Sequence, residues 1–228
     1  MLRLEAITVA QGGFALQADF AVPPGAKVAL VGPSGAGKST LLLAVAGFLP
    51  VRRGRVLWQG ADLAALPPAA RPVSMLFQDQ NLFPHLTLAQ NLGLALAPNL
   101  RLSQAQRLEV AAVLDRLGLA GLGARRPADL SGGQAGRAAL GRVLLQARPV
   151  LLLDEPFAAL GPGLKTDLLA LVAEVAAAAT VLMVTHDPAD ARRFADLTVL
   201  VAGGTAEPPT PTTALFANPP AALRDYLG

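Results

Sequence analysis

The segment Gly32-Pro33-Ser34-Gly35-Ala36-Gly37-Lys38-Ser39-Thr40 constrains this chain more than any other. A short apolar run, Lys27-Val28-Ala29-Leu30-Val31, stands before it. A run that fits a helix, from Lys38 to Gly47, follows. The pattern is G-x4-G-K-[ST] between a strand and a helix. Glycines let successive backbone N–H groups close on phosphate oxygens. Lys38 would set a cation at the β- and γ-phosphates, and Ser39 would offer its hydroxyl to Mg2+. The bland alternative is a Gly-rich turn that binds nothing. The complete pattern in strand–helix context argues against that.

A second motif is Val150-Leu151-Leu152-Leu153-Asp154-Glu155-Pro156. It places two carboxylates at the end of an apolar strand, where an open parallel sheet carries its chemistry. Asp154 would hold Mg2+ through water, and Glu155 would polarise the attacking water. A pair of solvated turn carboxylates is the alternative for any lone Asp-Glu.

The third motif is Leu130-Ser131-Gly132-Gly133-Gln134. Ser131 fits a helix N-cap, and a helix N-terminus is an anion site. One phosphate loop already serves the chain's own nucleotide. A second phosphate-seeking helix end makes sense if it reaches another subunit's ATP, giving a two-fold dimer with two ATPs in the seam. Gln78 and His186 each follow a strand. Their positions alone fit a structural role as readily as a functional one.

The organisation agrees. Leu2, Leu4, Ile7 and Val9 suggest one strand, and Phe14, Leu16, Ala18, Phe20 and Val22 another at period 2. Residues 54–60 read as a strand and turn, and 73–77 as a strand leading into Gln78. The middle, about 85–148, reads as helical, with capping boxes at Thr87/Gln90, Ser103/Gln106 and Ser131/Gln134. Strands return at 150–154, 180–185 and 197–201. The ends are therefore α/β and the middle a helical insertion.

Composition narrows the function. Hydrophobic residues make up 53% of the 228, ample for a core; charged residues make up 15%, low enough that apolar surface is expected to meet a partner. The net charge is +3, but the basic residues are scattered singles and pairs. No nucleic-acid partner is expected from them. The absence of cysteine excludes disulfides and thiolate metal sites and fits a reducing cytoplasm. No signal peptide and no membrane span are expected, since Glu174 and Thr180 interrupt the apolar stretch 168–184.

The ordered set of motifs at 32–40, Gln78, 130–134, 151–156 and His186 resembles the nucleotide-binding subunit of ATP-binding-cassette (ABC) transporters, over essentially the whole chain. The resemblance implies a P-loop NTPase of α/β class, with a RecA-like core, an antiparallel β lobe and a helical signature subdomain. It implies a single ATPase domain over 1–228, the helical subdomain at about 85–148, and a short C-terminal extension at about 207–228. Lys38, Gln78, Glu155 and His186 would serve catalysis. Gln78 would sense the γ-phosphate and Mg2+ and link to the membrane subunit; His186 would contact the γ-phosphate. Ser39, Gln78 and Asp154 would hold Mg2+. ATP would meet Gly32 to Thr40 in one subunit and Ser131, Gly132, Gly133 and Gln134 of the other.

Residues 71–78, Asn81-Leu82-Phe83, His85-Leu86-Thr87, Ala89-Gln90-Asn91 and 93–102 are similar to the ATPase subunit of bacterial thiamine (thiamine pyrophosphate) importers. The short length is similar too. An ATPase subunit does not touch the solute; this segment can encode which permease docks near residues 78–85. The chain would then lie peripherally at the cytoplasmic face of the inner membrane, with a periplasmic thiamine-binding protein as an indirect partner. Alternatives are an importer of iron, a polyamine or an inorganic anion, a soluble ABC ATPase of DNA repair or translation, and a regulatory module without turnover.

Three departures from the family stand out. Gln11-Gly12-Gly13-Phe14 replaces the usual adenine-stacking aromatic segment, and Phe14 fits either that role or core packing. Ala158-Ala159-Leu160-Gly161 lacks the aspartate that normally bridges the subunits near the attacking water. Ala135-Gly136-Arg137 follows the signature; Arg137 matches, while Gly136 costs about 1 kcal/mol of helix propensity relative to Ala.

Overall fold

The computed structural model describes residues 1–79, 81–157 and 160–227, and of Gln11 and Leu227 it describes the backbone alone. Gln80, inside the expected docking segment, and Ala158 and Ala159, in the departing tetrapeptide, lie outside the described residues. In chain order the elements are β1 (Leu2–Gln11), β2 (Phe14–Val22), β3 (Lys27–Val31), α1 (Lys38–Ala46), β4 (Val51–Trp58), β5 (Ala61–Asp62), β6 (Val73–Leu76), α2 (Leu88–Gly93), α3 (Gln104–Arg116), α4 (Gly132–Leu145), β7 (Val150–Asp154), α5 (Pro162–Val175), β8 (Thr180–Val184), α6 (Pro188–Phe194), β9 (Leu197–Ala202), β10 (Thr205–Ala206), β11 (Thr210–Pro211), α7 (Thr212–Ala217) and α8 (Ala221–Leu227). Among the described residues no helix is long and apolar enough to cross a membrane. The chain divides into two units, one of Met1–Val73, Pro149–Glu155 and Ala176–Gly228, the other of Ser74–Arg148 and Pro156–Val175.

The first unit is built on a sheet in the order β5-β4-β1-β2-β10-β9-β3-β8-β7. The apolar runs of β3, β7 and β8 are buried along their whole length, as strands of a parallel sheet covered on both faces must be. Leu30 pairs with Val184, and Val184 with Asp154, all in parallel register. That register puts the carboxyl ends of three strands in one row. The glycine loop, Asp154-Glu155 and Thr185-His186 all leave from it.

Lys27 is the exception in its apolar run, only 8% exposed. Its ammonium is met by the carbonyls of Gly25, Ala176, Ala177 and Ala179 at 2.7–3.1 Å. Burial holds its pKa below the ordinary lysine value, opposed by Asp196.

The antiparallel strands explain an irregularity in the sequence. Leu4 and Ile7 are three residues apart, so strict alternation would send one of them to solvent. A register shift between them, with Ala6 at φ +44°, restores both to the core face. Gly54 on β4 crosses this bulge at φ +77°. A Cβ there would fall 2.2 Å from the Glu5 carbonyl oxygen, so only glycine fits. β4 begins at Val51, three residues before the strand read from the sequence.

The tail is tied down. β11 pairs antiparallel with β9, the Thr212 and Thr198 hydroxyls meet at 2.9 Å in a buried pair, and Leu223 of α8 is fully buried.

The second unit is helical. All three capping boxes form: Thr87 with Gln90, Ser103 with Gln106 and Ser131 with Gln134 exchange side-chain and backbone hydrogen bonds. Each such cap stabilises its helix by about 1 kcal/mol. The expected helical middle is not continuous. Residues 94–103 and 117–131 contain no α-helix. Pro98 stands in the first gap; Gly118 and Gly121, at φ +64° and +74°, stand in the second. Gly136 is buried within α4.

Candidate active site

Between β3 and α1 the loop turns through three left-handed glycines, Gly32, Gly35 and Gly37. At Gly32 a Cβ would lie 2.0 Å from the Val201 carbonyl oxygen. Pro33, Ser34 and Gly35 are exposed, and Ala36, Ser39 and Thr40 are half-buried. Gly37 is the N-cap of α1 and brings no side-chain cap. The first-turn N–H groups of α1 have no intrahelical acceptor, the arrangement by which a helix N-terminus can bind an anion. The Phe14 ring lies against Gly37, where a Cβ would come within 2.8 Å of its edge. This puts Phe14 at the helix end of the loop, half-exposed.

Lys38 is buried, and its Nζ donates to the Gly32 carbonyl at 2.7 Å and the Pro33 carbonyl at 2.8 Å. Burial lowers its pKa; Glu155 and then Asp154 pull it back up. Ser39 Oγ donates to Asp154 Oδ1 at 2.8 Å. Asp154 is 8% exposed. Its pKa is raised, chiefly by burial and secondarily by Glu155, against the Ser39 hydrogen bond and Lys38.

Glu155 sits at φ +44°, a conformation uncommon for a non-glycine residue. Its N–H donates to the Val184 carbonyl at 3.2 Å. Its Oε2 is 3.2 Å from His186 Nδ1. His186 is presented by a tight turn: Asp187 N–H donates to Thr185 Oγ1, and Asp187 Oδ1 accepts from Ala189 N–H to cap α6. Buried Thr185 donates to Asp190 at 3.0 Å. The Asp187-Pro188 pair, N-cap followed by Pro at the first helical position, was a legible sign of this helix start. Tyr226 on α8 was not legible. Its hydroxyl donates to the His186 carbonyl. Its pKa is raised by burial, then by Glu155 and Asp187.

Gln78 and the Ser131–Gln134 motif belong to the second unit. Gln78 is exposed in the turn after β6. Ser131 and Gly132 are exposed, and Gly133 and Gln134 half-buried, at the capped start of α4. The Gln134 side chain is engaged in the cap through Ser131 N–H. Gly161 is exposed, and a Cβ there would meet nothing within 4 Å.

The donor set suits a phosphate-bound hard cation. Ser39 and Asp154 supply two oxygens side by side, and among the described residues no cluster of three or more His, Cys, Asp or Glu could cage a metal alone. Mg2+ is commonly held in this way, by one or two protein oxygens, waters and substrate phosphates.

A family model described as ABC transporter matches residues 16–158. The chain is 64% identical over 230 residues to the thiamine import ATP-binding protein ThiQ of Cereibacter sphaeroides, covering 100% of both. It is 56% identical to ThiQ of a Ruegeria species, again over 100% of both, and 49% identical to ThiQ of Yersinia pestis over 94% of this chain and 92% of that one. Among solved structures it is similar to a nucleotide-free ATP-binding cassette from an ABC transporter, with TM-score 0.87 and 26% identity over 100% of this chain and 99% of the other. A dimeric post-hydrolysis ATP-binding cassette bound to ADP and Pi matches with TM-score 0.81 and 26% identity over 93% of this chain and 99% of its own. With its glycine loop, paired carboxylates and histidine in one row of strand ends, and with these relatives along its whole length, the chain belongs to the ABC transporter family.

Proposed function

We propose that this chain is the ATP-hydrolysing subunit that energises a thiamine importer. The observation that carries the reading is the convergence of Lys38, Ser39, Asp154, Glu155 and His186 at one strand edge, in a chain that matches thiamine import ATP-binding proteins from end to end.

The geometry supports the following roles. The loop from Gly32 to Thr40 and the first turn of α1 bind the phosphates through backbone N–H groups. Lys38 now satisfies its ammonium with two neutral carbonyls, so a charged β- or γ-phosphate oxygen is the stronger acceptor. Ser39 and Asp154, side by side, would hold Mg2+. When bound, the ion neutralises charge developing on the phosphate oxygens. Glu155 orients the attacking water and accepts its proton at the carboxylate, and His186 faces the γ-phosphate while hydrogen-bonding Glu155. Phe14 borders the nucleotide at Gly37.

Two copies close on two ATPs, each offering Ser131, Gly132, Gly133 and Gln134 to its partner's nucleotide. The segment 78–85, with exposed Phe83, docks on a membrane permease, so the chain sits peripherally at the cytoplasmic face of the inner membrane and meets a periplasmic thiamine-binding protein only through the permease.

The test is uptake of labelled thiamine in cells lacking this chain, complemented with wild type or Lys38→Ala. Uptake restored by wild type and not by the variant supports the reading. Uptake that never depended on the chain, with ATPase activity intact in the purified protein, moves the reading to another solute.

A further inference from the structure

The side-chain amide of Asn91 is spent on the backbone of the loop that follows Gln78. Asn91 is fully buried at the heart of α2. Its Oδ1 accepts from Phe83 N–H at 2.8 Å, and its Nδ2 lies 3.0–3.2 Å from the carbonyls of Phe83, Leu86 and Thr87. The base of the loop is therefore fixed. Its outer part is held differently, by a side chain from another helix. Arg142 of α4 donates from Nη1 to the Asn81 carbonyl at 2.6 Å. Its guanidinium also lies 5.7 Å from the centre of the Phe83 ring. That is within the range of a cation–π contact. Asn81 is left-handed at φ +45°. The Phe83 ring, 45% exposed, also stands edge-on to His85. An exposed aromatic ring gripped on two sides is presented to something rather than buried.

The other end of α4 is the Ser131 cap. Arg142 lies eleven residues beyond it on one unbroken helix, a span of about 16 Å. A helix of that length moves as a rigid rod.

We infer that Arg142 is a positioning residue that couples the two contact points of the second unit, the Ser131–Gln134 end that meets the partner's ATP and the 81–85 loop that meets the permease. This rests on the importer reading above. When nucleotide draws the start of α4 toward the partner subunit, Arg142 carries Asn81 and Phe83 with it, and the permease feels the displacement. In this reading Arg142 acts through Asn81 and Phe83, the two residues it holds. A planar guanidinium can hold a carbonyl and a ring together; a lysine ammonium cannot do both in this geometry.

The experiment compares wild type, Arg142→Ala and Arg142→Lys in cells lacking the native chain. Labelled thiamine uptake is measured there, and basal ATPase and Tm are measured on the purified chain. Uptake is expected to fall at least tenfold in Arg142→Ala and at least threefold in Arg142→Lys, with basal kcat and KM within twofold of wild type. A double-mutant cycle with Phe83→Leu is expected to be non-additive in uptake. Uptake within twofold of wild type in both Arg142 variants overturns the inference. So does an uptake loss in Arg142→Lys matched by an equal loss of basal ATPase or a fall in Tm, which would make Arg142 merely structural. If the wild-type chain itself restores no uptake, the importer reading falls and this inference falls with it. If wild type restores uptake and the variants do as well, only the coupling falls.

Discussion

Glu155 Oε2 lies 3.2 Å from His186 Nδ1, although the two residues leave the sheet from different strands. The left-handed backbone at Glu155 and the Thr185–Asp187 turn aim the two side chains at each other. Strain of this kind, of order 1–3 kcal/mol, persists where the surrounding structure over-determines it, and it clusters at active sites. Glu155→Gln keeps the hydrogen-bond capacity but loses the base. ATP affinity should stay within about threefold of wild type, turnover should fall by about 100-fold or more, and the protein should elute as a closed dimer in ATP. Parent-rate hydrolysis in the variant would remove Glu155 from the role of base.

Lys38→Ala removes the one ammonium in the phosphate loop. Hydrogen bonds to charged groups contribute about 1.5–3 kcal/mol, so ATP affinity should weaken by about 10- to 150-fold. Titration with a fluorescent ATP analogue checks this. The Gly32 and Pro33 carbonyls would be left to water, and Tm should change little.

Asp154 has its pKa raised chiefly by burial. A carboxyl whose folded pKa lies above its unfolded value costs stability once it is ionised in the folded state. The cost is full above the folded pKa and fades as pH falls toward the unfolded one. Asp154→Asn should therefore raise the Tm of the nucleotide-free protein at neutral pH, by about 2–4 °C for each kcal/mol gained. The gain should shrink in acid, and Mg2+-dependent hydrolysis should be lost. A Tm that drops at neutral pH would show that the Ser39 and Lys38 interactions outweigh desolvation.

Gly161 stands in open space immediately before α5, and its carbonyl accepts from Lys165 N–H at 3.0 Å. Gly161→Asp should be accommodated, with a change of a few tenths of a kcal/mol from the cap. In the assembled transporter it should raise the cooperativity of ATP hydrolysis. An unchanged Hill coefficient would count against any coupling role for this position.

Tyr226→Phe deletes the hydroxyl that holds the His186 carbonyl. One neutral hydrogen bond contributes about 0.5–1.5 kcal/mol, so kcat should fall about two- to tenfold with KM for ATP unchanged. A rise in KM alone would place the effect on binding instead.

Local chemistry made much of this protein legible in its residue order. A phosphate loop needs its glycines, lysine and serine at fixed spacing, a capping box needs a hydroxyl and a Gln three residues apart, and each buried parallel strand here carries four consecutive apolar residues. Those interactions close within a few positions, so residue order alone specifies them. The tertiary structure decided what depends on partners far along the chain: the four carbonyls around Lys27, the bulge that only glycine at position 54 can cross, Tyr226 on the His186 carbonyl and Arg142 on the Asn81 carbonyl. Such contacts leave no periodic trace, because the register of the sheet and the packing of the helices bring them together only after the chain has folded.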